Sequence, residues 1–160
     1  MNGKDGARSM GNDTEMNLRL RAATPADHPF LRRLDRAAYE ALTVRLFGSW
    51  DVARQRARFD GKLRQLDLRI MELDRHPVGA VATSVREDHV FLHEMMILPE
   101  FQSRGIGSVV LRLELRDARA LGKPLRLHTA RLNRAQALYK RHGFRETGCD
   151  EMFIYMESAG

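Results

Sequence analysis

Residues 98–108 read Leu98-Pro99-Glu100-Phe101-Gln102-Ser103-Arg104-Gly105-Ile106-Gly107-Ser108 and join a predicted strand, 89–98, to a predicted helix, 108–121. Pro99 ends the strand because it has no amide hydrogen to donate to a neighbouring strand. Gly105 and Gly107 permit a sharp turn and the close approach of a ligand. Unpaired amides of the loop and the first helical turn converge where the helix dipole favours negative charge, and Arg104 adds a cation. The stretch therefore predicts a site for a phosphate or pyrophosphate group.

Two common phosphate-binding motifs do not match this loop. The dinucleotide fingerprint needs a third glycine where Val110 stands, and the Walker A motif needs a Gly-Lys-Ser/Thr run. What remains is Gln102-x-x-Gly105-x-Gly107 between a strand and a helix. This pattern resembles the Q/R-x-x-G-x-G/A motif of the GNAT superfamily of N-acetyltransferases, in which the loop holds the pyrophosphate of acetyl-coenzyme A.

The resemblance runs from about Leu18 to Met156 and includes Asn133 and the run Leu-Tyr-Lys-Arg-His-Gly-Phe at 138–144. It implies an α/β (α+β) fold: a mixed, mostly antiparallel central sheet of six to seven strands flanked by about four helices. It also implies acetyl-coenzyme A as the cofactor. The residues that it implies as cofactor contacts are Met96, Ile97, Leu98, Gln102, Ser103, Arg104, Gly105, Ile106, Gly107, Ser108, Asn133 and Tyr139.

The residue patterns predict the same order of elements. Alternating and continuous apolar runs predict strands at 17–23, 66–73, 78–85, 89–98, 125–130, 144–147 and 152–156. Helical spacing predicts helices at 25–46, at 50–63 with Ser49 as its cap, at 108–121, and from Asn133 to Gly143. The second to fourth strands are expected to form an antiparallel meander, and strand 125–130 is expected to pair in parallel because a helix precedes it.

The implied reaction is the transfer of an acetyl group to a primary amine by direct attack in a ternary complex. The resemblance assigns the oxyanion donor to a backbone amide of the strand before the loop, which is Ile97, or Met96 if a bulge shifts the register. Tyr139 matches the tyrosine that faces the thioester sulfur. A phenol normally has a pKa near 10, so it arrives protonated and can donate to a departing thiolate.

The general base is left open between Glu94, His93 and a water molecule. Glu94 lies three residues before Ile97, where a carboxylate can accept a proton from the amine, bind a cationic substrate or pair with an arginine. His93 has the better unperturbed pKa, but strand alternation places it on the opposite face from Glu94. His128 and His142 are interpreted as packing or surface residues.

Composition sets the wider expectations. A chain of 160 residues fits one domain, 17–160, preceded by a disordered extension, 1–16. No apolar run is long enough to span a bilayer, and the single cysteine, Cys149, is expected to be an ordinary buried thiol. Cytoplasm is therefore the expected compartment, no membrane contact is expected, and no metal site is predicted.

The formal net charge of +6 raises nucleic acid as a partner. The arginines, however, are spread over several predicted helices without a compact basic block, so nucleic acid is the less favoured partner. The alternative to an enzyme is a non-catalytic module that binds acyl-coenzyme A or nucleic acid. The acceptor is left open between a small-molecule and a protein amine, and a homodimer is compatible with the resemblance.

Overall fold

The computed structural model describes residues 16–160 and contains, within them, a single seven-stranded sheet and four α helices. The strands are β1 (Leu18–Ala22), β2 (Arg69–Leu73), β3 (His76–Val85), β4 (Val90–Ile97), β5 (Leu125–Ala130), β6 (Phe144–Cys149) and β7 (Phe153–Ser158). The helices are α1 (His28–Phe47), α2 (Val52–Gln65), α3 (Ile106–Ala120) and α4 (Gln136–Arg141). The predicted extension lies outside the described residues, except for Met16.

The strand order is β1-β2-β3-β4-β5-β7-β6, and every neighbouring pair is antiparallel except β4 with β5. β4 and β5 are parallel because α3 carries the chain back between them, as the sequence predicts. The predicted meander of the second to fourth strands is present as β2, β3 and β4. The predicted fold class is confirmed.

The sheet buries one apolar cluster on each face. The first cluster lies under α3 and α4 and includes Val90, Leu92, Ile106, Val110, Leu111, Tyr139 and Phe144. The second lies under α1 and α2 and includes Phe30, Leu31, Leu34, Phe59, Ile70 and Met96. Within the described residues, no member of the second cluster comes from β5, β6 or β7. Helices α1 and α2 therefore cover only the β1–β4 half of their face.

Two local predictions are wrong. Helix α2 begins at Val52, and its cap is Asp51 rather than Ser49, because the Asp51 carboxylate accepts a hydrogen bond of 3.0 Å from the amide of Arg54. Cys149 is exposed rather than buried, because β6 is an edge strand whose residues after Phe144 face solvent.

A β-bulge in β4 sets the geometry of the site. Ala82 of β3 pairs with Glu94, whereas the next residue, Thr83, pairs with Leu92, so His93 is the extra residue. An inserted residue reverses the alternation of side chains along the strand. Leu92 accordingly packs on the α3 face, whereas Met96 packs on the α1–α2 face.

Candidate active site

Residues 98–108, here named the phosphate loop after the predicted ligand, present a run of free amides. The backbone N–H groups of residues 103–108 have no hydrogen-bond acceptor within residues 16–160, and the first amide of the helix with a backbone partner is that of Val109, which donates to Gly105 at 3.1 Å. Ser103 and Gly105 have φ values of 59° and 84°, so the backbone curls and its amides converge. Converging amides at a helix N-terminus are suited to an anion.

Neighbouring elements hold this loop in place. Ile106 is 1% exposed and anchors the helix in the first cluster. A Cβ at Gly107 would lie 3.1 Å from Cδ2 of Leu138 and 3.5 Å from Cδ1 of Ile97, so the loop packs closely between α4 and β4. Gln102 donates from Nε2 to the carbonyl of Ile97 at 2.9 Å. The loop is thereby tied to the end of β4.

Two further side chains of the loop have protein partners. The guanidinium of Arg104 lies 5.2 Å from the centroid of the Phe101 ring, at the exposed rim of the loop. The hydroxyl of Ser108 lies 3.0 Å from Nε2 of His142, which connects the first turn of α3 to the end of α4. Burial, followed by the charges of nearby arginines, lowers the pKa of His142. That imidazole is therefore neutral at pH 7.

β4 and β5 separate after three residue pairs. Their parallel pairing covers only Val90 to Leu92 with Leu125 to Leu127. The amide of Leu98 donates to Val78 of β3 at 2.9 Å. Because successive amides along a strand point to opposite sides, the amides of Met95 and Ile97 point away from β3 into the gap. The gap therefore offers two backbone donors at the level of the phosphate loop.

The bulge brings His93 and Glu94 to the same face of the sheet, which contradicts the prediction that they lie on opposite faces. His93 lies 2.7 Å from the Ser84 hydroxyl, and Glu94 contacts Tyr39 of α1 and Lys62 of α2. Both side chains therefore lie on the side of the sheet that carries α1 and α2. Burial lowers the pKa of His93, so its imidazole is neutral at pH 7.

Glu94 belongs to a buried network of charges. Its Oε1 accepts from Lys62 Nζ at 2.6 Å, and its Oε2 accepts from the Tyr39 hydroxyl. Lys62 also donates to Asp35 at 2.9 Å, and Arg58 donates to the other oxygen of Asp35 at 2.6 Å. Each Glu94 oxygen thus has one partner, and two of the four lone-pair positions of the carboxylate are left for a substrate.

Replacing Lys62 with methionine is expected to destabilise the protein by about 3 kcal/mol, because Asp35 and Glu94 would lose their shared counter-charge in a buried setting. That loss corresponds to a fall in Tm of roughly 6–12 °C. Thermal unfolding checks it, with Arg36→Met as the matched control. Arg36 pairs with Glu40 on the exposed surface, where solvent screening leaves such a pair little effect on stability. Equal stability of the two variants would contradict the assignment.

Tyr139 approaches the gap from the other face. It is 7% exposed, its ring lies 5.7 Å from that of Phe144, and its hydroxyl makes no hydrogen bond within residues 16–160. Burial, assisted by the charge of Glu94, raises the pKa of Tyr139 to about 12. The phenol is therefore protonated at neutral pH, and its proton is free for a ligand.

Asn133 precedes α4. Its Oδ1 accepts a hydrogen bond of 2.9 Å from the amide of Ala135, and its own amide donates to Ala130. The side chain thus stabilises the turn that leads into α4, which begins at Gln136 rather than at Asn133 as predicted. The Nδ2 group has no hydrogen-bond partner within the described residues.

The structure brings most of the predicted site residues together, with two exceptions. The loop residues and Ile97, Glu94 and Tyr139 surround the gap between β4 and β5. The side chain of Met96 is 2% exposed in the second cluster, and its amide points to β3. The amide of Leu98 is already bonded to Val78. The predicted cofactor contacts of Met96 and Leu98 therefore have no support from the geometry.

Sequence reasoning missed three residues of the site. Met95 provides the second free amide of the gap, and only the pairing of β4 reveals it. Tyr39 and Lys62 bind Glu94 from two different helices. Tyr39 and Lys62 each stand on the apolar stripe of a predicted helix. A polar group at such a position could have indicated a role in the site.

The fold and the site define an acetyltransferase, and the comparisons agree. The family described as "Acetyltransferase (GNAT) domain" matches residues 66–146, which include the bulge, the loop and Tyr139. The chain belongs to this family. The predicted enzyme class is confirmed. No curated protein sequence gives a significant match.

Solved structures share the fold. The PaiA N-acetyltransferase from Thermoplasma acidophilum, in complex with coenzyme A, is 17% identical with a TM-score of 0.73, covering 91% of this chain and 100% of its own. A GNAT family acetyltransferase from Elizabethkingia anophelis with acetyl-CoA bound is 16% identical, with a TM-score of 0.67 and coverage of 90% and 99%. The ribosomal-protein-S18-alanine N-acetyltransferase from Escherichia coli is 18% identical, with a TM-score of 0.65 and coverage of 89% and 96%.

Two kinds of feature are absent from residues 16–160. None of their helices combines the length and apolarity needed to cross a membrane. No group of three or more His, Cys, Asp or Glu side chains within them is arranged to hold a metal ion.

Proposed function

We propose that this protein transfers an acetyl group from acetyl-coenzyme A to a primary amine by direct attack in a ternary complex. The observation that carries the proposal is the set of six free amides at 103–108 beside the gap between β4 and β5. An anion-binding loop and an open strand edge suit the two ends of a coenzyme A thioester. Two structural neighbours carry coenzyme A or acetyl-CoA by description, and membership of the family supports the reaction class.

The donor lies with its pyrophosphate on the loop and its pantetheine arm in the gap. The amides of 103–108 bind the phosphate oxygens, and Arg104 contributes charge from the rim. Gln102 acts indirectly, since it holds the end of β4 against the loop. Asn133 contributes its free Nδ2 group from the turn before α4. Met95 and Ile97 then offer amides to the arm and to the thioester.

The transfer step forms one bond and breaks one. The amine nitrogen attacks the thioester carbonyl carbon, and the oxyanion that develops is stabilised by the amide of Ile97. An amide aimed at a developing oxyanion contributes roughly a hundredfold to a thousandfold in rate. As the carbon–sulfur bond breaks, the thiolate takes the proton of the Tyr139 hydroxyl. Two observations support these roles: the backbone amide of Ile97 points away from β3 into the gap, and the Tyr139 phenol is protonated at neutral pH.

Glu94 receives the proton that the amine loses. It acts through a water molecule or through the Tyr39 hydroxyl, which already donates to Oε2. Lys62 keeps the carboxylate in place. His93 is the less suitable base, since its Nε2 contacts Ser84. The face that carries α1 and α2 is therefore the acceptor side, and the opposite face receives the cofactor.

The acceptor is a small-molecule or protein amine. The structural neighbour from Escherichia coli is described as acting on an alanine of ribosomal protein S18, which is an example of a protein amine. A homodimer and a cytoplasmic location remain predictions. We propose that residues 17–160 form the single catalytic domain.

The test is isothermal titration with acetyl-coenzyme A, followed by a screen of primary amines with detection of released thiol. Micromolar binding and amine-dependent thiol release are expected, with an N-acetylated product by mass spectrometry. Absence of binding at millimolar cofactor would remove the proposal. Binding without turnover of any amine, or salt-dependent retention of nucleic acid, would favour the non-catalytic alternative.

A further inference from the structure

Half of the acceptor face of the sheet is uncovered by helices. In β5 and β7, Leu127 and Met156 pair and pack in the first cluster under α3 and α4. Their neighbours along the strands, His128 paired with Tyr155, must therefore point to the opposite face. No residue of α1 or α2 packs against β5 or β7 in the second cluster described for residues 16–160. This half of the sheet faces solvent beside the site.

Five aromatic or imidazole rings lie side by side on this helix-free half of the sheet. We call them the ring shelf: Phe91, His93, His128, Phe153 and Tyr155. Each ring lies within edge-to-face or tilted distance of the next. The centroid separations are 4.9 Å for Phe91 with His93, 5.6 Å for Phe91 with His128, 5.0 Å for His128 with Phe153 and 6.0 Å for His128 with Tyr155. His128 lies at the centre and is exposed. A groove of about 530 Å³ borders the shelf between Phe91 and Tyr155.

Two charged side chains at the rim of the shelf are paired, whereas Arg86, which lies near His93, makes no ion pair within residues 16–160. Arg126 binds Glu157 and Asp88, and the Tyr155 hydroxyl donates to Asp150 at 2.6 Å. His93 is neutral at pH 7, as described above. The ring face itself therefore suits an uncharged, flat group, which gains from ring contacts.

The shelf is continuous with the proposed site. Phe91, His93 and Glu94 follow one another on β4, and the bulge places the last two on the same face. The ring of Phe91 connects His93, at 4.9 Å between centroids, to His128, at 5.6 Å, so the shelf begins next to Glu94. An amine held at Glu94 with a substituent of a few carbons would place that substituent on the shelf.

We infer that the acceptor is a primary amine that carries an uncharged aromatic group, with the amine at Glu94 and the ring on the shelf. This inference rests on the proposed function and adds the substrate class. The ring contacts make His128 a specificity-determining residue. The shelf does not take part in the transfer step. It affects only which primary amine the enzyme prefers.

The test compares kcat/KM for 2-phenylethylamine and ethylamine, which share the reacting amine and differ in the ring. The parent enzyme is expected to prefer 2-phenylethylamine by roughly a hundredfold, since burying a ring yields a gain of that size. His128→Ala is expected to reduce the preference about tenfold without changing turnover of ethylamine. His128→Phe restores a ring and is expected to restore the preference. The control is Phe47→Ala, which removes a ring that is 61% exposed at the end of α1 and is not one of the five shelf rings.

Three results would overturn the inference. One is turnover of other amines with no preference for 2-phenylethylamine, which leaves the proposed function standing. The second is a preference that His128→Ala and Phe47→Ala reduce equally. The third is a dimer in sedimentation experiments that His128→Glu converts to a monomer, because a second copy would then occupy the shelf. Failure of the proposed function is recognised separately, by the absence of acetyl-coenzyme A binding.

Discussion

Replacing Gly105 with glutamate is expected to weaken the binding of acetyl-coenzyme A at least about a hundredfold, because two costs combine at one position. Gly105 has a φ of 84°, a conformation that costs a residue with a Cβ roughly 1–2 kcal/mol. A carboxylate there also faces the pyrophosphate across a loop that otherwise offers only donors. A loss of 2.7 kcal/mol corresponds to about a hundredfold. Isothermal titration measures the change.

Gly105→Gln is the matched control, since glutamine has the same shape and the same backbone cost but no charge. It is expected to bind the cofactor about tenfold more tightly than Gly105→Glu. Circular dichroism and thermal unfolding must show that both variants are folded. Equal affinity of the parent and the glutamate variant would mean that the loop does not bind the diphosphate.

Replacing Tyr139 with phenylalanine is expected to lower kcat roughly a hundredfold to ten-thousandfold, the usual contribution of a positioned general acid. The dissociation constant of acetyl-coenzyme A should change little, because the ring stays packed against Phe144 and only the hydroxyl is lost. Pre-steady-state measurement of product formation and titration of the cofactor separate the two quantities.

The pH profile gives a second readout for Tyr139. The protonated phenol is the active form, and its pKa is raised to about 12, so its contribution is present below that pH and is lost only above it. The ratio of parent to Tyr139→Phe rates should therefore be constant between pH 7 and 10. A variant as fast as the parent would leave the tyrosine with a packing role, and a ratio that falls near pH 8 would point to a different acid.

The sequence predicts the strand–turn–helix conformation at 98–108 because its determinants are local; binding of a phosphate there stays a prediction. Pro99 stops a strand by lacking an amide hydrogen, and Gly105 permits a positive φ whatever surrounds it. The meander and the parallel return of β5 follow from apolar runs and the helix between β4 and β5.

The bulge at His93 could not be predicted from its own residues. It is defined by the pairing of Ala82 and Thr83 with Glu94 and Leu92, across a hairpin whose register depends on the whole sheet. Strand alternation without the bulge places His93 and Glu94 on opposite faces. The same register determines that the amides of Met95 and Ile97, rather than those of Met96 and Leu98, point into the gap between β4 and β5.

The side chains that bind Glu94 could not be predicted from the sequence either. Tyr39 and Lys62 lie on two helices that are separated from Glu94 by 55 and 32 residues in the sequence. Only the packing of α1 and α2 onto the β1–β4 half of the sheet brings them together. The ring shelf has a similar origin, since Phe91, His128 and Tyr155 come from three strands that alternation alone does not order in space.

The central claim is that one loop of backbone donors binds the diphosphate of the acetyl carrier, and a crystal structure with coenzyme A tests it most directly. The expected result is electron density for the diphosphate within hydrogen-bond distance of the amides of residues 103–108, with the pantetheine arm between β4 and β5. Density for the diphosphate on the opposite, α1–α2 side of the sheet, with the loop amides unoccupied, would contradict the account.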